Sequence, residues 1–213
     1  MAAHDVQDDT GPQLQVDKPT VISSWFCPFA QRTLLALNAK GVAYVHHELS
    51  DTDLYSKPAW FLDLNPAGLV PTLAWLTPGG ERRVLGESLI INEYVDEALP
   101  GPNSLLPDDP FEKAQARLLI DRFSSRAVPE FYKLLLRQVA ADQEAAATAF
   151  SAQLEWLTTK GLHPQGPFAL GTSFTLVDAA ILPFLLRLMY ERYADGSANS
   201  QVARDIKNDK TTS

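Results

Sequence analysis

The spacing of apolar residues changes period along the chain, and the changes mark out its elements. The run Thr20-Val21-Ile22-Ser23-Ser24 is short and rich in β-branched residues, as a strand is. Trp25-Phe26-Cys27-Pro28 then leads into a helical pattern in which Ala30, Leu34 and Leu37 share a face with Leu35. Gly41 stands where a helix end favours a left-handed residue, so the spacing predicts a helix over 28–40. Alternation returns over 43–49, with Ala43, Val45, His47 and Leu49 on one face of a second strand. A short helix over 58–65 carries Trp60, Phe61 and Leu64. A strand over 72–77, the turn Pro78-Gly79-Gly80 and a strand over 83–85 follow. Ile91, Tyr94, Val95 and Ala98 then define a helix over 88–99. A strand-helix-strand start demands a parallel pair, and the later turn-linked strands add an antiparallel edge.

After 99 the strand pattern disappears. Pro100-Gly101-Pro102-Asn103 and Pro107-Asp108-Asp109-Pro110 read as a linker over 100–110. A long helix is expected over 111–141, bent at Pro129, which cannot donate a backbone hydrogen bond. Phe150, Leu154 and Leu157 mark a second helix over 143–160, and a Gly/Pro-rich loop covers 161–171. Thr175-Leu176-Val177-Asp178 carries a variant capping box, Thr175 at the cap with Asp178 reaching back, and opens a helix over 176–193 that tolerates Pro183. The expected organisation is a polar arm over 1–18, an α/β domain over 19–99, the linker, an all-α domain over 111–193, and a tail over 194–213. The tail has only Val202 and Ile206 as branched aliphatics and is expected to be loosely held. The arm, with Asp5, Asp8, Asp9 and Asp17, has neither the apolar segment of a signal peptide nor the Arg-rich, acid-poor character of a transit peptide.

Composition narrows the partners more than the fold. The 213 residues are 46% hydrophobic, as expected of a soluble globular protein. Eighteen basic residues against 26 acidic ones give a net charge of −8, the wrong sign for a nucleic-acid partner. No apolar run approaches the ~18 residues of a membrane span. One cysteine excludes an internal disulfide, and with only four histidines a zinc site is not expected; the setting is a reduced, cytoplasm-like compartment.

The chemistry centres on that cysteine. A lone cysteine is most often a buried, inert thiol. Cys27, however, falls between a strand and a helix with Pro28 at the first helical position, where backbone amides and the helix dipole favour an anion. In a Cys-x-x-Cys redox motif a second thiol resolves the mixed disulfide. Here that position is Ala30, so an external thiol must do so. His46 and His47 are adjacent on a strand and face opposite ways, which argues against a shared metal. Ser23 and Ser24 also precede the helix, and Trp156 with Leu154 and Leu157 reads as core.

The segment Cys27-Pro28-Phe29-Ala30-Gln31-Arg32 resembles the active-site motif of cysteine-type glutathione transferases, chiefly the omega class, with the plant lambda class as the runner-up. The resemblance continues through Asn38-Ala39-Lys40-Gly41, Lys57-Pro58-Ala59-Trp60-Phe61, Asn65-Pro66-Ala67-Gly68-Leu69-Val70-Pro71, Gly86-Glu87-Ser88 and Leu106-Pro107-Asp108-Asp109-Pro110 to the capping segment at 175–178. It covers about 20–193. What it implies is a thioredoxin-like α/β N-terminal domain followed by an all-α C-terminal domain. Omega relatives carry further helices where this chain has only its polar tail, so the C-terminal helices are expected to be truncated.

The same resemblance implies roles. Cys27 forms a mixed disulfide with glutathione, and Phe29 lines the pocket. Lys57 pairs with the glycyl carboxylate. Val70 exchanges backbone hydrogen bonds with the cysteinyl part of glutathione, followed by a cis Pro71. Glu87 accepts from the γ-glutamyl ammonium, and Ser88 at a helix start binds that residue's carboxylate. The implied activities are glutathione-dependent thiol transfer and dehydroascorbate reduction, hence a role in detoxification. Glutathione is a co-substrate and no cofactor or metal is expected. Partners are glutathione and small-molecule or protein mixed disulfides, without nucleic acid or membrane. The expected assembly is a homodimer, with a monomer as the alternative. Two other readings stay open: a non-catalytic binding module of the same fold, and a monomeric lambda-type deglutathionylating enzyme.

Overall fold

The computed structural model describes residues 11–49 and 56–195, with side chains through Met189. Most of the predicted arm, and all but the first two residues of the predicted tail, lie outside the described residues. The chain divides into two compact units, the break falling between Asn103 and Ser104.

The first unit runs β1 (Thr20–Ser23), α1 (Pro28–Lys40), β2 (Val45–Glu48), α2 (Ala59–Leu64), β3 (Thr72–Leu76), β4 (Arg82–Leu85) and α3 (Ser88–Ala98). The four strands form one sheet in the order β2-β1-β3-β4. β1 and β2 are parallel, with Ser23 opposite Glu48, while β1-β3 and β3-β4 are antiparallel. This is the predicted mixed α/β, thioredoxin-like unit. Ile22 and Ala74, on one sheet face, pack with Leu49 and with Phe61 and Leu64 of α2 into a buried cluster. Val21 and Leu73, cross-strand partners at 0% exposure, alternate to the other face.

α1 packs against β1 and α3. It starts at Pro28 and ends at Gly41, whose φ of 78° and ψ of 25° give the left-handed cap that the sequence called for. Two polar links join the helices: Asn92 Nδ2 donates to the Arg32 carbonyl at 3.3 Å, and Lys40 Nζ pairs with Asp96 Oδ1 at 2.9 Å. Both partners advance together along the chain, so α1 and α3 run parallel and their N-terminal ends lie together. The predicted linker is tied down on this side: Asn103 Nδ2 donates to the Ala39 carbonyl at 2.8 Å.

The second unit is helical: α4 (Pro110–Arg122), a π-helical turn (Phe123–Ala127), α5 (Val128–Leu136), α6 (Ala140–Trp156), a second π-turn (Leu157–Gly161) and α7 (Leu176–Asp195). The single bent helix expected over 111–141 is therefore interrupted twice. The first interruption is the π-turn, closed by Val128 N–H donating to the Phe123 carbonyl. Pro129 sits in the first turn of α5, where a missing N–H does no harm. The second break comes at Arg137, which leaves the helix at ψ 139° beyond the buried Leu134. The core is an aromatic cluster, with Phe131 5.3 Å from Phe184 and 6.3 Å from Phe150, and Phe123 5.7 Å from Phe184. Asp178 staples the start of α7, accepting from Ala169 N at 2.7 Å, Thr175 N at 2.9 Å and the Thr175 hydroxyl at 2.8 Å.

Candidate active site

Cys27 ends a tight turn. Its N–H donates to the Ser24 carbonyl at 2.9 Å, and its φ of −77° and ψ of 115° place it as the extended cap of α1. No acidic residue occupies the first turn of α1 to offset the positive end of the helix dipole. The thiol is half-buried, and its Sγ donates to the Val70 carbonyl oxygen at 3.8 Å. Val70 precedes the cis bond to Pro71, as expected. Asn65 and Thr72 build the loop that presents it. Asn65 Nδ2 donates to the Leu69 carbonyl at 3.1 Å and to Thr72 Oγ1 at 2.8 Å, and Thr72 Oγ1 donates to the same carbonyl at 2.9 Å.

Lys57 is half-buried, and its aliphatic stem lies over Gly68 in this loop. Glu87 is exposed and adopts φ 63°, ψ 108°, which is costly for a residue with a Cβ, about 1–3 kcal/mol. It is the described non-glycine residue with positive φ. The next residue, Ser88, opens α3 and is 6% exposed. Because α1 and α3 run parallel, Cys27 and Ser88 share one end of the helix pair. Phe29 lies in the first turn of α1 with the buried Arg32 guanidinium 5.2 Å from its ring centroid. Thus Cys27 meets Val70, and Lys57 meets the loop that carries Val70. Phe29 and Glu87-Ser88 flank the common helix ends.

Sequence reasoning missed the residues that frame these groups. Asn65 and Arg32 were visible only as members of motifs, Thr72 only as the first residue of a strand, and Glu48 carried no signal. Glu48 Oε1 accepts the Trp25 N–H, and Glu48 Oε2 lies 3.1 Å from His46 Nε2. The two histidines do diverge. His46 is exposed, while His47 packs edge-on against Trp60 at 5.1 Å. Trp156 stacks on the Arg122 guanidinium, 3.7 Å from the ring centroid. Among the described residues no helix is long and apolar enough to cross a membrane.

Residues 26–98 match the family model for the glutathione S-transferase N-terminal domain. Glutathione S-transferase omega-1 from Sus scrofa is 41% identical over 172 residues, which cover 79% of this chain and 66% of that protein. Its counterpart from Rattus norvegicus is 37% identical over 169 residues, with the same shares. The chain thus spans just under two thirds of the length of these relatives. Among solved structures, glutathione transferase Omega 3C from Trametes versicolor superposes with a TM-score of 0.72 at 36% identity, covering 92% of this chain and 86% of that one.

Proposed function

Since the chain belongs to the glutathione S-transferase family, on the omega-class side, we propose that it is a glutathione-dependent thiol transferase that works through a mixed disulfide on Cys27. The observation that carries this reading is the thiol itself, half-buried at the head of α1 and 3.8 Å from the Val70 carbonyl beside cis-Pro71. A serine or tyrosine at this position would stabilise the glutathione thiolate by a hydrogen bond. A cysteine reacts with the disulfide.

The proposed reaction runs in two exchanges. The Cys27 thiolate attacks the glutathione sulfur of a mixed disulfide. The old S–S bond breaks, and the acceptor leaves as a thiolate that takes up a proton. A second glutathione thiolate then attacks the Cys27-bound glutathione, releasing glutathione disulfide and the free enzyme thiolate. With dehydroascorbate as oxidant, two glutathiones supply the electrons and become one disulfide while ascorbate forms. In this reading Phe29 walls the pocket, Lys57 holds the glycyl carboxylate, and the Val70 backbone pairs with the cysteinyl amide and carbonyl ahead of Pro71. Glu87 takes the γ-glutamyl ammonium. Ser88 and the α3 amides take the adjoining carboxylate, as helix starts take anions. The proposed setting is the reduced cytoplasm, where glutathione is available and a single free thiol persists.

The test is the reduction of a low-molecular-weight glutathione mixed disulfide, and of dehydroascorbate, by wild type and Cys27→Ala. Wild type is expected to turn over both and the variant neither; thiol transfer retained by the variant would sink the reading.

A further inference from the structure

The turn that presents Cys27 starts at the buried Ser24 but carries its two central residues outward, their rings edge to face at 5.6 Å. Trp25 is 74% exposed and Phe26 45%, so neither central residue of the turn Ser24–Cys27 is anchored in the core. The closing bond from Cys27 N–H to the Ser24 carbonyl accounts for only one of its backbone donors. Beyond Ser23 the chain leaves β1, so the Trp25 N–H has no place in the sheet ladder and needs another acceptor. Glu48 supplies it. Parallel pairing sets Glu48 opposite Ser23, and Leu49 N–H donates to the Ser23 carbonyl at 2.9 Å, so the end of β2 lies alongside the departing turn. From there Glu48 Oε1 accepts the Trp25 N–H. The other oxygen, 3.1 Å from His46 Nε2, faces a neighbour two residues back on the same strand face, which orients the carboxylate.

We propose that Glu48 is a positioning residue for the nucleophile: by holding the Trp25 N–H it fixes the turn that aims the Cys27 sulfur. Glu48 touches neither thiol nor substrate in this role and acts through the backbone. The inference rests on the proposed thiol-transfer reading for its consequence in turnover, but its effect on the thiol can be measured without any acceptor.

Because Cys27 is the single cysteine of the chain, alkylation by iodoacetamide reports on it alone. Glu48→Ala is expected to lower kcat for thiol transfer about tenfold, through a small misplacement of the sulfur against bound glutathione, and to change the alkylation rate measurably as the turn loosens. KM for glutathione should stay unchanged. Glu48→Gln, which keeps an acceptor oxygen at the same reach, should restore both rates. Glu48→Leu, suited in size and shape to a strand, repeats the deletion should the alanine variant fold poorly, with circular dichroism checking each. Wild-type rates in the alanine or leucine variant would overturn the proposal. So would a glutamine variant as slow as they are, because charge rather than the hydrogen bond would then be responsible. If the variants differ from wild type in alkylation as expected but wild type transfers no thiol from glutathione disulfides, the functional reading falls and the positioning role stands.

Discussion

Gly68→Ala separates the two things a glycine can do in this loop. Gly68 has φ of +61°, so any Cβ there costs about 1–2 kcal/mol of backbone strain. It also floors the stem of Lys57. A Cβ at Gly68 would stand 2.8 Å from Lys57 Cδ, 3.3 Å from its Cε and 3.1 Å from Leu62 Cδ2. Carbon atoms rest at about 3.5–4.0 Å, so the stem must withdraw by roughly 1 Å. A lysine stem can move that far, which turns the clash into a displaced ammonium rather than an unfolded loop. Gly80→Ala is the control: its φ is +81°, but nothing lies within 4 Å of the added carbon. Both variants should lose comparable stability in thermal melts. Only Gly68→Ala should also weaken glutathione, read by titration calorimetry. A half-exposed ion pair contributes up to about 1 kcal/mol, or roughly a fivefold change in Kd. Equal glutathione affinity in the two variants would refute the placing of Lys57 against the glycyl carboxylate through this loop.

Two further outcomes follow from the packing. Asp96→Ala removes the carboxylate that neutralises the Lys40 ammonium, where the two side chains are only 6% and 9% exposed, but leaves the ammonium its 2.8 Å bond to the residue-96 carbonyl, so urea unfolding should show a loss of about 2 kcal/mol. Lys40→Met added to Asp96→Leu should recover much of it. Asp178→Ala removes the acceptor of the Ala169 and Thr175 amides and of the Thr175 hydroxyl, and should destabilise the second unit by about 3 kcal/mol. Replacement by asparagine, which keeps one acceptor oxygen, should cost less.

Local signals and tertiary ones differed in how far the sequence exposed them. α1 was legible at both ends because a proline at its first residue and a glycine just past its last leave the backbone little choice. The mixed sheet followed from the order of elements, since a helix crossover between β1 and β2 enforces parallel pairing. The interruptions of the second unit were not legible. A π-turn at Phe123–Ala127 keeps Phe123 and Ala127 buried without disturbing the apolar spacing, and Arg137 stops α5 with neither proline nor glycine at that position. In the site, Cys27, Val70 and Ser88 stood out through their motifs. Glu48, 23 residues from Trp25, reaches its partner through a strand register that no local pattern records. Glu87 was named for a charge, yet its φ of 63° is a property of the folded backbone alone.

The account turns on a covalent bond between Cys27 and glutathione, and rapid-quench intact-mass spectrometry observes it directly. Mixed with a glutathione disulfide in single turnover, the wild-type chain should gain one glutathione at least as fast as it turns over, and lose it when excess glutathione is added. With one cysteine in the chain, that mass can reside only on Cys27. Turnover with no adduct, or an adduct that forms more slowly than product, would contradict the mechanism.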